Sequence, residues 1–256
     1  MMTMTGRQIG ALTAYSNVFQ ADGSATFDGQ SKVTFALTQN TVKGVAAPQT
    51  YSGTYVVQAN CLGSIIINTG DNATFNLMIY NQGSDFLLAG TDSTYNFTGS
   101  GSAASANACS VAKLAGVYSL NATGYSINNS AVNGVVDGVG LIQFDGKGAV
   151  TVNFNESTEA GVTSPLAMTG TYTIGSSCLG TASLSDSKGN SYSLAIAATS
   201  VSGVSVNGFN MTIGQTGKVT MLGAGHPLFG QPTALLLLPE LHCPGNLLED
   251  AKGERA

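Results

Sequence analysis

From Ala149 to Ala198 the chain alternates apolar and polar side chains with a period of two. Val150, Val152 and Phe154 are interleaved with Thr151, Asn153 and Asn155; Met168, Tyr172 and Ile174 with Thr169, Thr171 and Thr173; Tyr192, Leu194 and Ile196 with Ser193 and Ala195. Successive side chains of a strand point to opposite faces, so this pattern predicts strands with one buried and one wet face. Turn signals fall between the runs at Asp137-Gly138, Asp145-Gly146 and Lys188-Gly189-Asn190. Together they predict eight strands, over 116–123, 139–144, 149–156, 167–174, 179–185, 191–198, 201–209 and 218–223. No window carries a helical period. Eight short antiparallel strands joined by hairpins predict a closed up-and-down barrel, because closure removes exposed strand edges; a two-sheet β-sandwich is the alternative.

The pattern occurs twice. GTYVVQANCLGS from Gly53 returns as GTYTIGSSCLGT from Gly170, and Phe27-Asp28-Gly29 returns as Phe144-Asp145-Gly146. Tyr55 and Tyr172, Cys61 and Cys178, Gly44 and Gly161, and Leu77 and Leu194 all lie 117 positions apart. A constant offset needs no gap, so the expectation is a duplicated unit. A period this long exceeds the ~20–50 residues of solenoids and propellers, and each copy should hold its own core. The expected organisation is all-β: two tandem eight-stranded barrels, at 1–106 and 107–225, with a tail at 226–256. Subtracting the offset from Tyr118 reaches residue 1, so the first copy is expected to lack its opening. The tail does not alternate and holds four of the six prolines and both histidines. It reads as foreign to the repeat, or as an extension in which Thr233 to Leu238 supplies a strand to the shortened copy.

Composition narrows the partners. Only 9% of residues are charged, against ~25% in ordinary soluble proteins, while Gly, Ser, Thr and Asn are abundant. That is the palette of an exported β protein. A net charge of −5, with no Lys or Arg cluster, gives nothing to neutralise phosphates, so no nucleic acid is expected as a partner. No apolar run is long enough for a transmembrane helix, and residues 1–10 lack the apolar core of a signal peptide. The expected location is secreted, periplasmic or at the cell envelope, with the export signal absent from this chain.

Ala108 to Tyr118, followed by GTYTIGSSCLG from Gly170, resembles a family of exported, functionally uncharacterised tandem repeats from soil-type bacteria. Its pattern is C-S-x-x-x-L-x-G-x-Y, then G-T-Y-x-V-x-x-x-C-x-G and a late G-T-D, here Gly90-Thr91-Asp92 in the first copy and missing from the second. The resemblance covers roughly residues 5 to 223 and implies a lipocalin-like or allene-oxide-cyclase-like barrel. Read alone, the four cysteines at 61, 109, 178 and 243 allow three pairings. The resemblance implies a Cys109–Cys178 disulfide, which leaves Cys61 as a thiol or bonded to Cys243.

Candidate chemistry is sparse. No Cys-x-x-Cys or His pair suggests a metal, and no cofactor motif is present. His226, and His242 beside Cys243, lie in the anomalous tail. Asp28 and Asp145 precede glycines in hairpin positions and read as turn residues. Glu156 and Glu159 read as a solvated loop. Asp92, at a strand end, and Tyr172 are the weak catalytic candidates, with a turn cap and a packed core as their ordinary roles. Tyr51, Tyr55, Phe75, Tyr172 and Tyr192 share the apolar parity of their strands and are expected to point inward. A small barrel either fills its interior or leaves room for one ligand, so these rings are the candidate ligand-binding set. The expected function is binding of a small apolar molecule or surface component. The alternatives are a promiscuous ester or phosphoester hydrolase or isomerase at a barrel mouth, and a structural envelope protein. An unpaired edge in the shortened copy would allow a homodimer by strand exchange.

Overall fold

The alternating segments form two closed sheets. The computed structural model describes residues 1–9, 18–41, 43–70, 72–103, 108–128, 131–158, 160–162, 165–202, 205–216 and 218–228. The first sheet contains β1 (Met2–Gln8), β2 (Val18–Phe27), β3 (Lys32–Thr41), the short β4 (Gly44–Val45), β5 (Gln49–Val57), β6 (Leu62–Ile67), β7 (Thr74–Tyr80), β8 (Asp85–Thr91) and β9 (Tyr95–Ser102). The second contains β10 (Gly116–Asn128), β11 (Ala131–Phe144), β12 (Ala149–Thr158), the short β13 (Gly161–Val162), β14 (Leu166–Ile174), β15 (Leu179–Asp186), β16 (Ser191–Val201), β17 (Val206–Gln215) and β18 (Val219–Pro227). Apart from the two-residue β4 and β13, each strand pairs antiparallel with its sequence neighbours, and β9 and β18 return to β1 and β10. Both sheets are therefore closed eight-stranded up-and-down barrels, and the sandwich alternative is set aside.

Closure corrects one expectation. β1 has 7 residues against 13 in β10, yet it pairs with β2 on one side and β9 on the other. The first barrel thus keeps no open edge along β1, and strand exchange loses its premise. The second barrel runs through Pro227, with His226 opposite Ser119 inside the β10–β18 ladder, two residues beyond the expected boundary at 225. Thr233 to Leu238, His242, Cys243 and Glu159 lie outside the described residues.

Two local readings also change. Asp137-Gly138 is no turn but the middle of β11. Gly138 is needed there because a Cβ would lie 2.0 Å from the Phe154 ring of the neighbouring strand. The seventh strand begins at Val206 rather than Val201, because a register shift between Ala198 and Val201 carries β16 onward. The reversal then falls at Ser202, whose hydroxyl accepts the Ser205 N–H at 3.1 Å.

The hairpin aspartates behave as their positions suggest. Asp28 Oδ1 accepts the N–H groups of Gln30, Ser31 and Lys32 at 2.8–2.9 Å, and Asp145 Oδ1 those of Lys147, Gly148 and Ala149 at 2.7–2.8 Å. These backbone donors hold both carboxyls below the usual range, led by Gln30 at Asp28 and by Lys147 at Asp145. Gly29 and Gly146 follow at φ 77° and 74°, which a Cβ would disfavour.

Each barrel has its own core. The second is built on large buried side chains: Tyr118, Phe144, Phe154, Phe209 and Met211 are all at most 2% exposed. Tyr118 packs edge-on against Phe144 and Phe209, and its hydroxyl donates to the Val206 carbonyl at 3.0 Å. Below this ring cluster, the Cys109–Cys178 disulfide ties the segment before β10 to the β14–β15 turn, as the resemblance implied.

The barrels also pack on one another through a polar seam. Asn40 Nδ2 donates to the Ile213 carbonyl at 2.9 Å, Thr220 Oγ1 donates to Gln20 Oε1 at 3.0 Å, and Thr212 Oγ1 donates to Asp22 Oδ1 at 3.4 Å. All five side chains are buried. Ala195 and Ala197, on the parity expected to be wet, are buried as well. Gly214 permits the close approach: a Cβ there would lie 2.9 Å from Asn40 Oδ1.

Candidate functional site

The first barrel holds an aromatic-walled cavity at one end. A cavity of about 180 Å³ opens where β3, β5 and β9 present Gln39, Tyr51 and Tyr95, and where Thr69 and Asp92 follow β6 and β8. Its floor is apolar: Met4, Leu37, Ile67 and the rings of Phe19, Phe35, Phe75 and Phe97. The rings touch in sequence, with centroids 6.2 Å apart for Phe35–Phe75, 5.8 Å for Phe75–Phe97 and 5.4 Å for Phe97–Phe19. Such contacts lock the wall, since edge and tilted aromatic pairs have preferred geometries. Polar groups are confined to the rim, where Gln39 Nε2 donates to the Tyr51 hydroxyl.

Asp92 lies at this rim and also fills its ordinary role. Its Oδ1 accepts the N–H groups of Thr94 and Tyr95, closing the β8–β9 turn. One carboxylate oxygen is thus committed to the backbone. Tyr51 from β5, Phe75 from β7 and Asp92 from the turn after β8 are brought together on one cavity. Tyr55 lies at the opposite end, edge-on to Phe27 at 5.0 Å. It lines a wider opening of about 520 Å³ bounded by Met1, Phe86, Ala103 and Ser177 and fringed by the hydroxyls of Ser24, Thr26 and Ser102.

The second barrel places the two candidate tyrosines apart. Tyr172 packs against Phe144 at 4.7 Å and donates its hydroxyl to the Val111 carbonyl at 2.9 Å, and burial raises its pKa. Tyr192 lies toward Asp186 and Glu156, and burial, followed by those two carboxylates, pushes its hydroxyl up to about 12. Glu156, expected in a solvated loop, is half-buried near the end of β12, and burial raises its pKa. Asp92 and Tyr172 belong to different barrels and do not converge on one cavity.

Aligned by the repeat offset, the two barrels differ at identifiable residues. Leu37 and Ala21 of the first correspond to Phe154 and Gly138 of the second, and Tyr51 corresponds to Met168. The Phe154 ring lies against Gly138, where a Cβ would come within 2.0 Å of it, while Leu37 lines the cavity of the first barrel. Among the described residues, no group of three or more His, Cys, Asp or Glu side chains could hold a metal. No described helix is long and apolar enough to cross a membrane.

The residues that sequence reasoning missed are those of the seam: Gln20, Asp22, Asn40, Thr212 and Thr220. Each sits on the outward parity of its strand and reads as solvated. The available signal was Ala195 and Ala197, two apolar residues at outward positions. Comparison of the chain with protein-family models and with curated proteins finds no match.

Proposed function

We propose that the protein binds a small, mainly apolar molecule inside the first barrel. In this reading the phenylalanine wall receives the body of the ligand, and Gln39, Tyr51 and Asp92 meet a polar end. One observation carries it: the first barrel keeps an aromatic-walled cavity of about 180 Å³ with Leu37 in its lining, at the position where the second barrel carries the buried Phe154 ring. An apolar cavity of roughly 150 Å³ admits benzene, so the size suits one ring with a short polar substituent. The Cys109–Cys178 disulfide supports placement in an oxidising compartment, and we read the protein as exported.

Calorimetric titration with benzyl alcohol and related small aromatic alcohols tests the reading. One saturable site per chain is expected. Leu37→Phe combined with Ala21→Gly transplants the Phe154 and Gly138 pair of the second barrel and is expected to abolish binding, with the melting transition retained. Undiminished binding by that variant, or none by the wild type, overturns the proposal.

A further inference from the structure

The seam between the barrels is a head-to-tail contact. It joins the outer face of β2–β3 in the first barrel to the outer face of β16–β18 in the second. Because the barrels are copies, each also carries the half of this contact that the other uses. The counterpart of the β2 face lies on β11, where Asp22 becomes Val139 by the repeat offset. The counterpart of the β16–β17 face lies on β7–β8: Ala195 pairs with Thr212 in one ladder as Met78 pairs with Leu87 in the other. Both counterpart faces are exposed and carry large apolar residues. Val139 is 58% exposed and Leu141 43%, while Met78 is 39% and Leu87 41%.

The substitutions between used and unused faces are matched across the contact. The buried Asp22–Thr212 pair of the seam corresponds to Val139 facing Leu87, so both members change from polar to apolar together. Asn40 against Gly214 corresponds to Ser157 against Ala89, a smaller side chain opposite a larger one. Gln20 against Thr220 corresponds to Asp137 against Thr98, which keeps an acceptor facing a hydroxyl. Complementarity is preserved at all three places although five of the six residues differ. Exposed apolar faces on strands that are otherwise polar outside mark interaction surfaces.

We propose that a second copy of this chain docks here, its β11–β12 face seated on the β7–β8 face of the first, repeating between chains the contact made within one. A contact between unlike faces does not close on itself as a two-fold dimer does, so it propagates into rings or open rows of barrels.

Sedimentation velocity of the full chain over a concentration series tests this. The expected result is a mass that rises with concentration past two chains. Leu87→Asp and Val139→Asp each remove one face, and each variant alone is expected to be monomeric. Mixed, they retain one intact pair of faces and should form a dimer that grows no further, a result that neither a two-fold interface nor general stickiness produces. Both residues are exposed, so circular dichroism melts should match the wild type; Met78→Lys and Leu141→Lys supply the same test should either aspartate variant misfold. A wild type that stays monomeric, variants that still associate alone, or a mixture that stays monomeric overturns the proposal.

Discussion

Gly138 shows how one missing side chain sets the interior of a barrel. Its Cα faces the Phe154 ring, and a Cβ would overlap it. Gly138→Ala is expected to cost about 1–3 kcal/mol, as overpacking does. Combining it with Phe154→Leu recreates the Ala21 and Leu37 pair of the first barrel, so the double variant should lose less than the two single losses combined. Urea denaturation of the four proteins measures this coupling; simple additivity would show that the ring and the missing Cβ are unrelated. At the cavity rim, Asp92→Asn is expected to retain the turn, because an amide oxygen still accepts from Thr94 and Tyr95. A change in ligand affinity without a change in melting would then report on the carboxylate's free side.

At the level of elements, hairpins and one covalent link hold the strands in order. The Asp-Gly turns at 28 and 145 satisfy three backbone N–H groups each with a single carboxylate oxygen. The Cys109–Cys178 disulfide spans 69 residues, from the segment before β10 to the β14–β15 turn. In the chain-entropy model a loop of that length is worth about 4 kcal/mol. Replacing both cysteines by serine is expected to lower the unfolding midpoint of the second barrel and leave that of the first in place. Tyr118 and Tyr172 fluorescence, read from variants in which the other tyrosines are phenylalanine, follows that barrel separately.

For the whole molecule, the buried carboxylate of the seam decides how docking responds to pH. Burial raises the Asp22 pKa from 3.8 to about 7, with the Thr212 hydroxyl and a backbone N–H opposing the shift. A carboxyl with a raised native pKa favours the docked state when protonated. Its contribution is full below the unfolded value of 3.8 and is lost as pH rises to about 7. At about 1.4 kcal/mol per pKa unit, the swing is on the order of 4 kcal/mol. The unfolding midpoint should therefore fall between about pH 4 and 7, and Asp22→Asn should flatten the profile. A variant with the same slope as the wild type would place the titration elsewhere.

The chain's own order of residues determined the all-β class, most of the strands and the duplication, because a period of two and a gapless repeat are local and additive properties, while closure into barrels rather than sandwiches rested on the pairing of β1 with β9 and β10 with β18. It also marked Asp28 and Asp145 as turn formers and placed Tyr51, Phe75 and Tyr172 inward, since alternation assigns a face without reference to any neighbour. Tertiary structure alone decided that Met4, Leu37, Phe75 and Asp92 enclose a cavity in the first barrel, because that depends on how side chains from separate segments fill the space between them. It also decided that Asp22, Gln20 and Ala195 are buried. Parity separates the inside of a barrel from its outside, but only the packing of one barrel on another determines which part of the outside meets water.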